Sequence, residues 1–196
     1  VSEARKATEE NPKDPEAWRE LSIALQTEGE TAQAISALES YLDLRPQDAS
    51  VLRELGGLYL AQGAAKQRDA QIVQLQGIYT GAASPVMPTL FVAGSNVFGS
   101  NKLTSVLDAR SNEQITAKLT EAGASYSKAI TTYRRLAAAT PKDASVQLEL
   151  AQAAEQGNDA LTAIAAYEQF LKLAPDDPQA SIVRQQLKQL KAATAG

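Results

Sequence analysis

The stretch that decides the fold is DASVLRELGGLYLAQG at residues 48–63, because a close copy, DASVQLELAQAAEQG, returns at residues 143–157. Each copy opens on an aspartate, a favoured N-cap residue because its carboxylate accepts hydrogen bonds from the free N–H groups of a first helical turn. A leucine follows seven residues later in both copies, at Leu55 and Leu150. The two copies therefore indicate a helical unit that occurs more than once.

Four prolines measure the length of this unit. Pro12 and Pro46 are 34 residues apart, and Pro141 and Pro175 are separated by the same distance. Pro46 and Pro141 are 95 residues apart, which equals one such period and an insertion of 61 residues. A constant period over several units is the signature of a repeat array, in which each unit packs against its neighbours.

Other residues keep the register of the prolines. An Ala-Ile pair stands twelve residues before a proline three times, and a large apolar or aromatic residue stands eight before it. These residues are Ala34-Ile35, Ala129-Ile130 and Ala163-Ile164, with Leu38, Tyr133 and Tyr167, and Asp14 joins Asp48 and Asp143 as an expected N-cap. Gly29, Gly63 and Gly157 mark the expected turn inside each unit. Apolar residues at three- and four-residue spacing predict amphipathic helices.

This pattern resembles the tetratricopeptide repeat family, whose units carry Trp-x2-Leu-Gly-x2-Tyr and then an alanine, an aromatic residue and a proline. The matching residues are Trp18 and Leu21 in the first unit, Leu55, Gly56 and Tyr59 in the second, and Leu150, Ala163, Tyr167 and Pro175 in the third. The departures are Ser22 for the glycine, Leu25 for the tyrosine, and Leu52 and Gln147 for the tryptophan. The resemblance implies an all-α fold, a right-handed superhelical array of helical hairpins.

The whole chain, 1–196, is therefore predicted to be a single repeat domain. Its repeats are expected at 14–47, at 48–80 continuing at 112–141, and at 142–175. Residues 5–10 are expected to end a preceding second helix. Residues 178–193 are predicted to form a C-terminal capping helix, with Ile182, Val183, Leu187 and Leu190 turned inward.

The insertion lies inside the second repeat and has two interpretations. Residues 64–79 and 112–128 both show helical spacing, with an apolar stripe of Ile72, Leu75 and Tyr79 in the first and with Ile115, Leu119 and Ala122 inward in the second. Because the two additions are similar in length, we favour a hairpin that is lengthened on both sides. The alternative is a helix that breaks at Gly63 and is followed by a separate extra helix.

Between these helices, the segment 81–111 is rich in glycine, serine and proline and yet carries large apolar residues. They are Met87, Leu90, Phe91, Val92 and Phe98. Exposed apolar stretches of this size are uncommon in monomeric proteins. Three outcomes are open: the segment folds back on its own repeats, pairs with a second copy to form a homodimer, or meets a foreign partner or membrane surface. It is too short and too interrupted to span a bilayer.

Composition excludes several classes of function. The net charge is −4, the pI is near 5.0 and no strong basic cluster is present, so nucleic acid is not expected as a partner. The chain contains no cysteine and no histidine, which excludes thiolate and imidazole chemistry. Ser125-x-x-Lys128 and the glycines of 94–99 match only fragments of catalytic or phosphate-binding motifs. No enzyme activity, metal or cofactor is therefore expected.

The resemblance implies that the first helix of each unit lines a concave, partner-binding face. Carried over position by position, this face holds Glu16, Arg19, Ile23 and Gln26, then Ser50, Arg53 and Leu60, then Gln152 and Glu155. Some family members grip a terminal carboxylate with Lys, Asn and Arg here, but the matching positions include Ile23, Glu54 and Glu149. Arg19 and Arg53 either present two guanidiniums to an acidic peptide or each pair with a nearby glutamate.

The predicted function is that of a protein–protein interaction scaffold or adaptor that binds a peptide or partner protein. The alternative is a self-assembling structural protein that oligomerises through residues 80–110. The breadth of the family favours a bacterial protein of the cytoplasm or the cell envelope. Since the sequence begins at Val1, any targeting or anchoring segment is expected to lie upstream of it.

Overall fold

The computed structural model of the chain describes residues 1–82 and 100–194. These residues form eight helices and no strand. The helices are α1 (Ser2–Glu10), α2 (Pro15–Thr27), α3 (Thr31–Leu44), α4 (Ala49–Ala82), α5 (Ser100–Ala139), α6 (Ala144–Gln156), α7 (Ala160–Leu173) and α8 (Ala180–Thr194). The predicted all-α helical repeat fold is therefore confirmed. None of the described helices is both long enough and apolar enough to cross a membrane.

Aspartates cap α2, α4 and α6 at the positions predicted from the sequence. The Oδ1 atom of Asp14 accepts a hydrogen bond from the backbone N–H of Glu16 at 3.0 Å, and Asp143 accepts from Ser145 at 3.0 Å. Asp48 accepts from the N–H groups of Ser50 and Val51 at 3.0 and 3.2 Å. Asp159 caps α7 in the same way and was not predicted. Each aspartate satisfies backbone donors that have no partner inside the helix.

The turn residues differ from the prediction in two of the three units. Gly29 has a positive φ of 79° and ends α2 as expected, but in the third unit the residue with positive φ is Asn158, at 56°. Gly157 instead has a φ of −81°. Gly157 is the C-cap of α6, and the left-handed position is the residue after the C-cap. Asparagine tolerates the left-handed conformation better than most residues do. In the second unit Gly63 ends no helix, since α4 continues through it.

The second hairpin is lengthened, as favoured above. Its first helix, α4, runs without a break from Ala49 to Ala82, which excludes the interpretation with a break at Gly63. Its second helix, α5, begins at Ser100 and not near residue 112. Residues 103–110 contain no glycine or proline, so no residue there opposes helix formation. The start of α5 therefore lies inside the segment that was expected to be irregular.

The chain divides into two compact units. The first, termed the repeat unit, comprises Val1–Gln62 and Ala124–Gly196, and the second, termed the arm unit, comprises Gly63–Gly123. The core of the repeat unit contains the fully buried side chains of Leu52, Leu136 and Tyr167, and Val183 of α8 joins it. Leu187 and Leu190 pack against this core as predicted, but Ile182 is 59% exposed and its predicted inward position was wrong.

The arm unit buries little in its described part. Its buried residues there are the small residues Gly63, Ala70 and Ala122. Leu119 was predicted to face inward and is instead about half exposed, because the small residues take the buried positions. Ile72 and Leu75 of the predicted apolar stripe are exposed to a similar extent. Tyr79 lies outside the side chains that the structure describes. Two ion pairs, Lys66–Glu121 at 2.7 Å and Lys118–Asp69 at 3.9 Å, are formed within this unit.

Candidate protein-binding surface

The predicted partner-binding residues lie on three helices of the repeat unit. We term this surface the first-helix face. It consists of the nine predicted residues and the residues that pair with them on α2, on the first part of α4 and on α6. The nine residues are Glu16, Arg19, Ile23, Gln26, Ser50, Arg53, Leu60, Gln152 and Glu155. Their role as a binding surface remains a prediction, but their contacts within the chain are defined.

Arg19 is paired across the first two units. Its guanidinium forms an ion pair with the carboxylate of Glu54 on α4. The same carboxylate accepts a hydrogen bond from the Nε2 atom of Gln26 at 2.7 Å. Glu54 therefore joins two predicted site residues of α2 to the next first helix.

Arg53 makes the equivalent connection between the second and third units. Its Nε atom donates to the carboxylate of Glu149 at 3.0 Å, and its Nη2 atom lies 3.2 Å from Asp143 and 3.4 Å from the hydroxyl of Ser145. Hydrogen bonding to Glu149 raises the pKa of Arg53 above its ordinary value. The guanidinium therefore binds both the N-cap and the second turn of α6.

The two connections form a regular ladder, which we term the Arg–Glu ladder. In each rung an arginine pairs with a glutamate of the next unit. That glutamate lies one residue after the position that is equivalent to the arginine. The third unit has Leu148 where the arginines stand, so the pattern stops there. Glu54 and Glu149 were not predicted as site residues. The sequence did contain a signal for both glutamates, because each follows by one residue the repeat position that Arg19 and Arg53 occupy in their own units.

The ladder shows how the two arginines are paired within the chain. Both guanidiniums are paired with glutamates inside the chain, as the second alternative stated. The carboxylates of the face also outnumber its guanidiniums. Besides the two arginines and Arg45, which pairs with Glu16, the face and its immediate neighbours carry the carboxylates of Glu16, Glu20, Glu54, Asp143, Glu149 and Glu155. Its surface charge is therefore negative, which disfavours an acidic ligand.

Four other predicted site residues also make contacts within the chain. Glu16 lies 3.1 Å from Arg45, and Ser50 donates its hydroxyl to the N-cap Asp48 at 2.8 Å. Glu155 accepts a hydrogen bond from the hydroxyl of Tyr167 at 2.5 Å. Leu60 is half-buried and packs against the core.

The remaining two predicted residues of the face are open. The side chain of Ile23 is 52% exposed. Gln152 is exposed and its side chain makes no hydrogen bond with any residue that the structure describes. The first-helix face thus carries an exposed apolar side chain and a free amide beside two arginines that are already paired.

The second predicted set, Met87, Leu90, Phe91, Val92 and Phe98, lies outside the described residues. The self-assembly alternative therefore receives no support from the structure and stays a prediction.

Two family models described as tetratricopeptide repeat match the chain, one over residues 15–58 and the other over residues 121–178. Together they cover more than half of it. No curated protein sequence matches the chain.

Among solved structures, the chain is similar to the crystal structure of YrrB, described as a TPR protein with an unusual peptide-binding site. The two are 15% identical over 93% of this chain and 97% of that one, with a TM-score of 0.29. A TM-score this low supports no inference about the surface of this chain.

Proposed function

Because the chain belongs to the tetratricopeptide repeat family, we propose that it is a protein-binding module that holds a segment of a partner protein on the first-helix face. The two family matches, over residues 15–58 and 121–178, include α2, the beginning of α4 and α6, which are the helices that form this face. Arrays of such helical hairpins offer extended surfaces for binding.

The observation that carries the proposal is the exposure of Ile23 on a face whose two arginines are already paired with glutamates of the same chain. More than half of this large apolar side chain is open to solvent, beside the rung formed by Arg19 and Glu54. Covering it with an apolar group contributes about 1 kcal/mol of binding free energy. Gln152 supplies a free donor and acceptor on the third unit, since amides both donate and accept hydrogen bonds.

The charge of the face defines the partner further. Its guanidiniums are already neutralised by Glu54 and Glu149, and its other carboxylates leave it negative. An acidic segment would be repelled and would have to break a rung of the ladder to reach an arginine. We therefore propose a basic partner segment with an apolar side chain that reaches Ile23. Its binding weakens as salt is added, because exposed charges are screened.

Site-directed crosslinking tests the location. A photoreactive phenylalanine analogue replaces Gln152 in the full chain, and a second variant carries it at Gln185, an exposed residue of α8. Under the proposal, irradiation in the source cell joins a partner to the Gln152 variant and not to the Gln185 variant. Equal adducts from both positions, or none from Gln152, would contradict it.

The captured partner then allows a matched affinity test. Ile23→Asp and Ile182→Asp change two isoleucines of similar exposure, 52% and 59%, on different helices. We expect Ile23→Asp to weaken binding about tenfold and Ile182→Asp to leave it unchanged. If the two variants bind equally well, the partner does not use the first-helix face.

A further inference from the structure

The repeat unit has a second set of recurring surfaces, the grooves between successive second helices. We term them the second-helix grooves: the first lies between α1 and α3, the middle one between α3 and α5, and the last between α5 and α7. In each, residues at equivalent repeat positions meet across the groove. The contacts are Arg5 with Gln33, Glu39 with Lys128 at 3.3 Å, and Arg134 with Thr162. Because these contacts recur in all three grooves, we assign them to the stacking of units.

The middle groove contains a cavity of about 500 Å³, lined entirely by residues of the repeat unit. This volume lies within the range of pockets that hold ligands. Leu42, Leu55 and Tyr59 form its floor and are almost completely buried, so the accessible surface of the cavity comes from its polar walls. The carboxylates of the cavity come from α3 and its cations from α5. The cavity thus has one acidic wall and one basic wall.

Three of its polar groups satisfy one another. The hydroxyl of Tyr59 donates to the carboxylate of Glu39, which also pairs with Lys128. The ammonium of Lys128 lies 5.1 Å from the centroid of the Tyr59 ring, within cation–π distance. Burial raises the pKa of Tyr59, so its hydroxyl stays protonated and remains a donor. The polar groups of Tyr59, Glu39 and Lys128 therefore already have partners within the chain.

Two charged groups of the cavity, those of Asp43 and Arg135, form no ion pair with any residue that the structure describes. Asp43 is exposed and makes no hydrogen bond or ion pair with a residue that the structure describes. Arg135 donates one hydrogen bond, from its Nη2 atom to the backbone carbonyl of Pro46 at 3.0 Å, and has no carboxylate partner there. The two are not paired with each other, although both line the cavity. A carboxylate and a guanidinium are therefore available on opposite walls.

The neighbouring grooves show that unit stacking does not require this pair. The positions equivalent to Asp43 and Arg135 hold Glu9 and Ser40 in the first groove, and Ala138 and Gln169 in the last. Only the middle groove of these three combines a free acid with an opposed cation. A feature needed for packing would recur with the repeat, as the cross-groove contacts do. The pair is thus available for a ligand.

We propose that the middle second-helix groove binds an extended peptide segment that carries one basic and one acidic side chain. The basic side chain pairs with Asp43, the acidic one with the guanidinium of Arg135, and the peptide backbone lies over the exposed Thr131 between them. Guanidinium–carboxylate pairs form two parallel hydrogen bonds and so fix the direction of the segment. This site is separate from the first-helix face, and either can exist without the other.

Synthetic peptides provide the first test. The probes are end-capped Gly-Lys-Gly-Glu-Gly, its reverse Gly-Glu-Gly-Lys-Gly, and a neutral peptide with glutamine at both charged positions. Each is titrated to about 5 mM into the full ¹⁵N-labelled chain, since exposed ionic contacts give weak affinity. We expect one charged peptide to shift the amide signals of Asp43, Leu55 and Arg135. Equal shifts from the neutral peptide, or shifts scattered over the surface, would overturn the proposal.

Variants decide whether the two charges are responsible. Asp43→Asn and Arg135→Gln should each weaken binding about tenfold, because each removes a charged contact. Glu9→Gln, the equivalent change in the first groove, should leave the affinity unchanged. The double variant Asp43→Lys with Arg135→Glu should reverse the preference between the two charged peptides.

Unchanged affinity in both single variants overturns the proposal. Thermal unfolding monitored by circular dichroism shows that each variant is folded. Ile23→Asp, which addresses the first-helix face, should retain peptide binding, so that failure of one site is distinguishable from failure of the other.

Discussion

Two neighbouring glycines of α4, Gly56 and Gly57, occupy very different surroundings. A Cβ atom at Gly56 would lie 2.8 Å from the Cε2 atom of Tyr133, whereas at Gly57 the nearest atom is the Tyr133 hydroxyl at 4.0 Å. Tyr133 is buried and part of the core, so its ring has little room to move. The glycine of the repeat motif is thus required here by the close approach of an aromatic ring from the second helix.

This contrast gives a prediction at the residue scale. Gly56→Ala should lower the free energy of unfolding by about 1–3 kcal/mol, because the added methyl group overpacks the core. Gly57→Ala should leave it unchanged or raise it by up to about 1 kcal/mol, since alanine favours a helix over glycine. Urea unfolding of both variants and the parent chain checks this. Equal effects of the two substitutions would contradict the assigned role of Tyr133.

At the scale of the element, the N-cap aspartates tie helix formation to pH. Hydrogen bonds from Ser145, followed by the contact with Arg53, hold the pKa of Asp143 below its ordinary value. A carboxyl group whose pKa is lower in the folded than in the unfolded chain stabilises the fold at pH values above the unfolded pKa, near 3.9. That contribution is lost as the pH falls through the folded pKa. Asp143 therefore makes the repeat unit less stable in acid.

Substituting this cap tests the assignment. Asp143→Asn keeps the capping side chain but removes the charge, so its stability should fall less between pH 7 and pH 3 than that of the parent chain. Asp143→Ala removes the cap and should cost about 1 kcal/mol at pH 7. The free energy of unfolding is measured by urea titration at each pH. Asp43→Asn serves as the control, since Asp43 makes no hydrogen bond or ion pair in the described part of the chain.

At the scale of the whole molecule, the two compact units differ in how much they bury. The repeat unit contains a continuous core that extends from Ile35 to Val183, whereas the described part of the arm unit buries only small residues and leaves Ile72 and Leu119 half exposed. Regions with few buried apolar contacts open at a lower free energy than the core. The two units therefore have different local stabilities.

Hydrogen exchange should reveal this difference. We expect the amides of residues 64–75 and 112–121 to exchange at least about tenfold faster than those in the middle of α3, α6 and α7. Mass spectrometry after digestion, at a pH and temperature where the chain is folded, resolves the two sets. Equal protection in both would mean that the arm unit is stabilised by contacts beyond those described above.

The sequence by itself determined those properties that are local or periodic. The 34-residue period, the capping aspartates and the helical spacing identified the hairpins and their family, because each depends on residues close together in the chain or on a repeated position. Even so, the presence of a glycine alone did not determine whether a helix ends there. Gly29 ends a helix and Gly63 does not, since α4 continues with neighbouring residues that favour a helix.

Only the tertiary structure decided which charges are paired and which are free. Arg53 meets Glu149 across 96 residues of sequence, and Lys128 meets Glu39 across 89. Pairing over such separations is set by how the helices stack, and an insertion changes the separation without changing the contact. The sequence therefore showed that Arg19 and Arg53 are equivalent but left their partners open. Folding engages these two arginines in the Arg–Glu ladder, whereas Ile23 stays exposed and Asp43 and Arg135 form no ion pair with a described residue.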